Sequence, residues 1–259
     1  MSDVCRSANA SEMWRIAVSV YPVMVRRRRA PASGGRTLAM AEYDEAARRL
    51  TVKLVYYGPA LSGKTTNLMR LHDLLRPELK GEMMTLETRN DRTLFFDLLP
   101  LGFRTASGLL VKFKLYTVPG QLAHDSTRKA VLSRADGVAF IADSQRSQGV
   151  NNAEAFQNLA DNAQRVGLDF DHLPLVVQFN KRDLLDGVSE EEVAARWAAT
   201  PWPIIYATAL KGLGVRETFR CLLGKVYDVI DHQYQLAAVH GMSSDAFVKA
   251  AEDSDGERT

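Results

Sequence analysis

The chain has 259 residues, of which 46% are hydrophobic and 25% charged, enough to bury a sizeable core in one globular domain with appendages. The 33 Lys and Arg residues nearly balance the 31 Asp and Glu residues, and a formal net charge of +2 argues against a dedicated polyanion-binding protein. Two cysteines are too few for a disulfide framework or a zinc site, so they indicate a reducing compartment, with the cytoplasm as the expected location.

Residues 1–48 lack the periodicity of the middle of the chain, and we expect a disordered, basic N-terminal extension. The apolar run 16–25 is interrupted by Pro22 and is about half the length that spans a bilayer. The cluster Arg26 to Arg29 follows this run instead of preceding it, which does not fit a signal peptide. Such a cluster suits anionic lipid, nucleic acid or an acidic partner as well as a solvated tail, and composition does not choose among them.

The first half of the body predicts a strand, a helix and an antiparallel pair. Val52 to Tyr57 is apolar and strand-like, and a leucine-striped helix follows it until Pro77. We expect residues 81–93 to be a polar connection. Leu94 to Leu99 and Leu110 to Thr117 then predict two antiparallel strands, joined by a turn near Gly108 and placed at an edge of the sheet.

The second half alternates short apolar strands with amphipathic helices. Strands are expected at Val138 to Ala142, Leu175 to Phe179 and Ile204 to Ala207, and a last helix at Val215 to Gln235. The pattern predicts an α/β fold of the doubly wound P-loop class, with a mostly parallel sheet and an antiparallel edge strand. We expect the domain at residues 49–236 and a C-terminal tail at residues 237–259.

A phosphate-binding loop lies between the first predicted strand and helix. Residues 58–65 read Gly-Pro-Ala-Leu-Ser-Gly-Lys-Thr and match the P-loop pattern at every required position. In this motif the glycines let backbone N–H groups face the β-phosphate, Lys64 reaches the β and γ oxygens, and the Thr65 hydroxyl binds Mg²⁺. The alternative is a chance glycine-rich turn, which the strand-to-helix context disfavours.

A second motif indicates the base. Residues 180–183 read Asn-Lys-Arg-Asp and follow a predicted strand, as in the N-K-x-D pattern whose Asp carboxylate accepts two N–H bonds from guanine. Asn, Lys and Asp are also ordinary turn residues, so the tetrapeptide is weak on its own. Its position behind a P-loop makes a guanine nucleotide the expected ligand and argues against an ATP-dependent enzyme.

The chain resembles the Ras-like small GTPases, and within them the bacterial gliding-motility branch named for MglA. Besides both motifs, three phrases carry the resemblance: Leu-Val-Tyr-Tyr-Gly-Pro at residues 54–59, Asp-Arg-Thr-Leu-Phe-Phe-Asp at 91–97 and Leu-Tyr-Thr-Val-Pro-Gly-Gln at 115–121. The resemblance covers about residues 50–229. Met40 begins a segment similar to the start of short family members, and on that basis it is a candidate start of the protein.

The resemblance implies the roles of individual residues. Mg²⁺ is expected on Thr65 and Thr93, because Thr117 replaces the usual metal-linked Asp of the second switch. Gln121 is expected to orient water, Gly120 to donate its N–H to the γ-phosphate, and Arg92 to act as a built-in arginine finger, although a solvated loop residue is the alternative for Arg92. The residues expected at the nucleotide are Gly58, Pro59, Ala60, Leu61, Ser62, Gly63, Lys64, Thr65, Thr66, Thr117, Asn180, Lys181, Asp183, Thr208 and Ala209.

Ala60 departs from the glycine that most relatives carry, and its methyl group crowds the space beside the γ-phosphate. Two functions therefore stay open. One is a slow GTPase switch for cell polarity and surface motility, helped by a dimeric roadblock-type activator and read by effectors at the switches. The other is a GTP-locked, non-cycling scaffold for polar or cytoskeletal machinery. In this branch the edge strand, here expected at Leu94 to Leu99, shifts along its neighbour on activation.

Overall fold

A computed structural model of the chain describes residues 41–88, 94–121 and 124–252. The strands within these ranges are β1 (Glu42–Asp44), β2 (Arg49–Tyr57), β3 (Met84–Thr88), β4 (Leu94–Arg104), β5 (Leu110–Thr117), β6 (Gly137–Asp143), β7 (Leu175–Asn180) and β8 (Ile204–Tyr206). The helices are α1 (Lys64–Leu74), α2 (Asp125–Leu132), α3 (Gly149–Arg165), α4 (Glu190–Trp197), α5 (Val215–Tyr234), α6 (Leu236–His240) and α7 (Ser244–Glu252).

The described strands form one sheet in the order β3-β4-β5-β2-β6-β7-β8, and β1 pairs with β2. β5, β2, β6, β7 and β8 run parallel, whereas β3, β4 and β1 are antiparallel to their neighbours. The predicted α/β class, with a mostly parallel sheet and an antiparallel part, is confirmed.

Each face of the sheet carries its own core. On one face, β2 and β5 pack against α1, α5 and α7 through buried residues such as Leu54, Phe113 and Phe219. On the other face, β6 and β7 pack against α3 and nearby aromatic residues, including Phe156 and Trp202. β6 and β7 are buried along their whole length, which is why their sequences are mostly apolar instead of alternating, with Gln178 as the polar exception inside β7.

The sheet has an antiparallel edge strand, as expected, but the position predicted for it is wrong. Residues 94–99 belong to the longer β4, which pairs with β5 on one side and with β3 on the other. β3 is the terminal strand in this order, and it lies in the segment expected to be a polar connection. An edge strand needs hydrogen bonds on one side only and exposes part of its side chains, so the sequence Met-Thr-Leu-Glu-Thr lacks the apolar signal of a buried strand.

The structure differs from the expected boundaries at both ends of the domain. β1 begins before residue 49 and forms a hairpin with β2 through a turn in which Arg48 has a φ of 45°. After α5, the segment expected as a tail contains α6 and α7. Phe247 of α7 is fully buried, and its ring lies 5.6 Å from Phe113 and 5.4 Å from Tyr227. One aromatic anchor on a short helix leaves little periodicity for sequence reasoning to detect.

Residues 1–40 and 253–259 lie outside the described ranges, and with them Met40 and the cluster Arg26 to Arg29. Within the described ranges, every helix is too short or too polar to cross a bilayer.

Candidate nucleotide-binding site

The P-loop connects the buried end of β2 to the first residue of α1, as predicted. Its two glycines have φ values of 139° at Gly58 and 97° at Gly63, in the region that favours glycine. A Cβ atom at Gly58 would collide with the Ile141 carbonyl oxygen, and one at Gly63 would collide with the Asn180 side chain. The loop therefore has the glycine-dependent backbone of a phosphate-binding loop, and it lies at the start of a helix, where anions bind.

Lys64 is folded over this loop. Its Nζ donates hydrogen bonds to the carbonyl oxygens of Gly58 at 3.0 Å and Pro59 at 2.6 Å, and the residue is only 7% exposed. Burial, the largest cause, and the positive charge of Arg128 together lower the pKa of Lys64 to about 7, against the opposing effect of Asp97. A phosphate group beside this cation would replace the lost solvation and restore its charge.

Thr65 and Thr117 meet at a carboxylate that sequence reasoning did not single out. The hydroxyl of Thr65 donates to Asp97 Oδ2 at 2.6 Å, and that of Thr117 donates to the same oxygen at 3.0 Å. Thr85 donates to the other oxygen, Oδ1, at 3.2 Å. Asp97 is 8% exposed, and it is the one charged residue in the apolar run 94–101. A lone charged residue at an inward-facing strand position is the sequence feature that could have identified Asp97 as a functional residue.

Asn180 joins the base-recognition motif to the P-loop. Its Nδ2 donates to the Ser62 carbonyl oxygen at 2.8 Å, and its Oδ1 accepts from the Ala209 N–H at 2.9 Å. Lys181 donates to Asp143 at 2.6 Å, while Asp183 is exposed at the end of the same motif. β7, the P-loop and the loop after β8 thus converge at the carboxyl end of the parallel sheet, where ligands bind in open α/β folds.

The second switch touches the P-loop at Ala60. A Cβ atom at Gly120 would collide with the Cα of Ala60 and lie 2.5 Å from its backbone nitrogen. Gln121 is exposed, and its carbonyl oxygen accepts from the His124 N–H at 3.2 Å. The structure thus brings Gly120 to the predicted phosphate end of the site.

The remaining predicted residues divide into two groups. Thr66 lies in the first turn of α1, directly after Thr65, and Thr208 closes the base loop by donating its N–H to Leu213. Arg92 and Thr93 lie outside the described residues, so their roles stay predictions.

No protein-family model matches the chain. Among curated proteins, it is similar to the mutual gliding-motility protein MglA of Myxococcus xanthus, with 42% identity over 183 residues. The matched region covers 71% of this chain and 94% of the relative. At this identity and coverage, together with the fold and the motif geometry, the chain belongs to the MglA branch of the Ras-like small GTPases.

Proposed function

We propose that this protein is a molecular switch that binds GTP and GDP with Mg²⁺ and slowly hydrolyses GTP. The observation that carries the proposal is the double contact of Asn180, whose side chain bonds the P-loop at Ser62 and the base loop at Ala209. This contact joins a phosphate-type loop to a guanine-type motif in one site. Asp183, exposed beside it, is free of the core and available to accept the guanine N1–H and amino group.

The residues present suit a bound Mg²⁺ ion. Thr65 supplies a hydroxyl at the start of α1, and the Asp97 carboxylate lies 2.6 Å from it. Both are hard oxygen donors of the kind Mg²⁺ prefers. Thr65 and Thr93 would hold the ion and Asp97 would accept hydrogen bonds around it. When bound, the ion neutralises charge on the β- and γ-phosphates.

In the proposed hydrolysis, Lys64 binds the phosphate oxygens and Gln121 orients the attacking water. Gly120 donates its N–H to the γ-phosphate, and Arg92 neutralises charge in the transition state. Each group acts by positioning and electrostatics, so hydrolysis is slow until both switches are ordered. A dimeric roadblock-type activator supplies that order in this proposal.

Single-turnover hydrolysis tests the proposal. Purified protein is loaded with GTP or ATP, and phosphate release is followed with and without a candidate roadblock-type activator. We expect release from GTP alone, accelerated by the activator, and no release from the Thr65→Asn variant. Equal turnover of ATP, or turnover that survives Thr65→Asn, would reject a guanine-specific switch at this site.

The proposed cellular role is control of cell polarity and surface motility, by gliding or by placement of type IV pili. Support comes from the relative, whose name assigns it to gliding motility. Effectors are expected at the two switches and at β3 and β4, because Asp97 of β4 bonds Thr65 of the P-loop and Thr85 of β3 bonds Asp97. A cytoplasmic location, at cell poles through partners, is part of the same proposal.

A second candidate is a GTP-locked scaffold that binds partners without cycling. The close approach of Gly120 to the Ala60 backbone favours it, because a methyl group carried by that backbone would leave less room for the switch that must position Gln121. Nucleotide binding would persist, since ground-state phosphate contacts come from the backbone and Lys64. The hydrolysis rate separates the two candidates.

A further inference from the structure

Beneath the P-loop lies a group of three buried polar side chains, which we call the amide cluster: Asn67 of α1, Gln178 of β7 and Thr218 of α5. Each of the three residues has no exposed surface. The nucleotide motifs include none of them. Burying an amide is costly unless its hydrogen bonds are made, so a cluster at this depth requires well-defined geometry.

The two amides bond each other in both directions. Asn67 Nδ2 donates to Gln178 Oε1 at 2.9 Å, and Gln178 Nε2 donates to Asn67 Oδ1 at 2.8 Å. The remaining N–H of Asn67 reaches the Gly63 carbonyl oxygen at 2.9 Å. Gln178 Nε2 also donates to Thr218 Oγ1 at 2.8 Å and, at a longer 3.4 Å, to the Gly214 carbonyl oxygen, to which Thr218 donates at 2.6 Å. Every amide donor of the cluster is therefore used.

The ends of this hydrogen-bond chain lie on two different loops of the site. Gly63 is the last P-loop residue before Lys64, whereas Gly214 ends the loop that begins at Thr208 and carries Ala209. Gly214 has a φ of 75°, and a Cβ atom there would crowd Tyr206 and Ala207. Both ends are thus backbone positions with little freedom to shift.

β7 contributes two links between these loops. Asn180 bonds Ser62 and Ala209 directly, at the surface of the site. Gln178, two residues earlier and on the same face of the strand, connects Gly63 and Gly214 through its partners one layer deeper. Apolar side chains would fill the same space, but they would not fix the distance or angle between α1, β7 and α5.

From this geometry we infer that Asn67, Gln178 and Thr218 are positioning residues that set how slowly the protein releases its nucleotide. They hold the phosphate loop and the base loop at one separation, so that the two halves of a guanine nucleotide are bound together. The inference rests on the proposed function.

Release of a fluorescent GDP analogue, measured beside thermal unfolding of the nucleotide-free protein, tests the inference. Asn67→Leu and Gln178→Leu each leave one buried amide without its partner, so both should destabilise the protein and speed release about tenfold or more. The double variant removes both amides and should regain much of the lost stability. Its release should stay fast, because the links to Gly63 and Gly214 are still absent.

Two matched controls separate positioning from general destabilisation. Val226→Ala truncates a fully buried residue further along α5, and it should lower the unfolding temperature without speeding release. Thr218→Val replaces the hydroxyl with a methyl group and leaves only the 3.4 Å contact between Gln178 and Gly214, so it should speed release severalfold. Thr218→Ser keeps the hydroxyl and should not. If the leucine variants do not fold, the comparison of Thr218→Val with Thr218→Ser still tests the inference.

The outcomes are distinct. If the unaltered protein does not bind GDP, the proposed function fails and the inference fails with it. If it binds GDP but release follows the unfolding temperature in all variants, including Val226→Ala, the amide cluster is merely structural and only the inference is overturned. Equal release by Thr218→Val and Thr218→Ser would likewise overturn it.

Discussion

The hydroxyl of Thr65, at the start of α1, donates a 2.6 Å hydrogen bond to the carboxylate of Asp97 on β4. The contact joins the P-loop to the strand that follows the first switch, and it places a negative charge beside the expected metal position. The position of β4 in the sheet therefore determines where the Asp97 carboxylate lies relative to the expected metal position.

Removing this carboxylate should weaken metal-dependent nucleotide retention. Asp97→Ala takes away the acceptor for Thr65 and Thr117, and we expect the protein to need about tenfold more Mg²⁺ to hold GDP. A Mg²⁺ titration of GDP release measures the effect. Thr85→Val is the control, since it removes only the 3.2 Å contact to the other carboxylate oxygen. An unchanged Mg²⁺ requirement in Asp97→Ala would contradict the assignment.

Lys64→Met should abolish nucleotide binding while stabilising the nucleotide-free protein. The folded protein holds Lys64 at a pKa of about 7, below its ordinary 10.5, so burial of this cation opposes folding. That cost is complete below about pH 7 and declines as the pH rises towards 10.5.

Thermal unfolding of the unaltered protein and of Lys64→Met, measured from pH 6 to pH 10, tests whether the cost of burying Lys64 declines as the pH rises. We expect the variant to gain at least about 1 kcal/mol at pH 6, an advantage that shrinks with rising pH, and to bind GTP about 100-fold more weakly or worse. Loss of the two hydrogen bonds to Gly58 and Pro59 offsets part of the gain. If the stability of the variant relative to the unaltered protein is lower at pH 6 than at pH 10, Lys64 is not a buried cation.

Asp183 should decide the choice of base. A carboxylate that accepts both the N1–H and the amino group of guanine should disfavour ATP by about 10⁴ or more. Asp183→Asn should relax this preference without affecting folding, because Asp183 is exposed. Direct competition between GTP and ATP measures it, with Asp186→Asn, a neighbouring exposed position, as the control. Comparable affinity for both nucleotides in the unaltered protein would rule out the assignment.

Ala60→Gly should accelerate GTP hydrolysis, at least with an activator present. The change removes the methyl group of a residue whose backbone Gly120 approaches closely, and we expect it to free space for Gln121 and Arg92. Arg92→Ala should then slow the reaction, by up to about 10³-fold if it is a built-in finger. Single-turnover rates of the variants measure both effects. Unchanged rates in both would reject the built-in finger and leave Ala60 without a role in hydrolysis.

Asp125 should stabilise the fold above about pH 4. Burial raises its pKa, but hydrogen bonds from Asn162, Asn158 and Lys129 outweigh burial and lower the pKa to about 2. A lowered carboxylate pKa stabilises the folded state above the ordinary value of 3.8, and this contribution is lost as the pH falls towards 2.

Asp125→Asn should accordingly lower the unfolding free energy by about 1 kcal/mol at pH 7, since partial exposure screens the interaction. Denaturation curves at pH 7 and pH 2 measure the difference, which should nearly vanish at the lower pH. Asp171→Asn, an exposed carboxylate beyond α3, is the control. A constant difference at both pH values would show that the charge of Asp125 is not what ties α2 to α3.

Much of the site could be predicted because its signals are local. Gly58 and Gly63 have positive φ values, a local backbone requirement within the eight-residue motif, and the Asn180 motif begins at the last residue of its strand. The same holds for the parallel core strands, which are mostly apolar, and for α5, whose apolar residues recur at helical spacing. These features follow from short-range sterics and periodicity, which one sequence displays directly.

Tertiary structure decided the rest. β3 is a strand because β4 offers it an unpaired edge, and Phe247 is buried because Phe113 and Tyr227 lie opposite it. Asp97 and Gln178 acquire their partners from residues 32 and 111 positions away. The hydrogen-bond partners of such residues lie on other elements, and those partners are the physical reason for the residue type. Spacing along the chain therefore does not predict them.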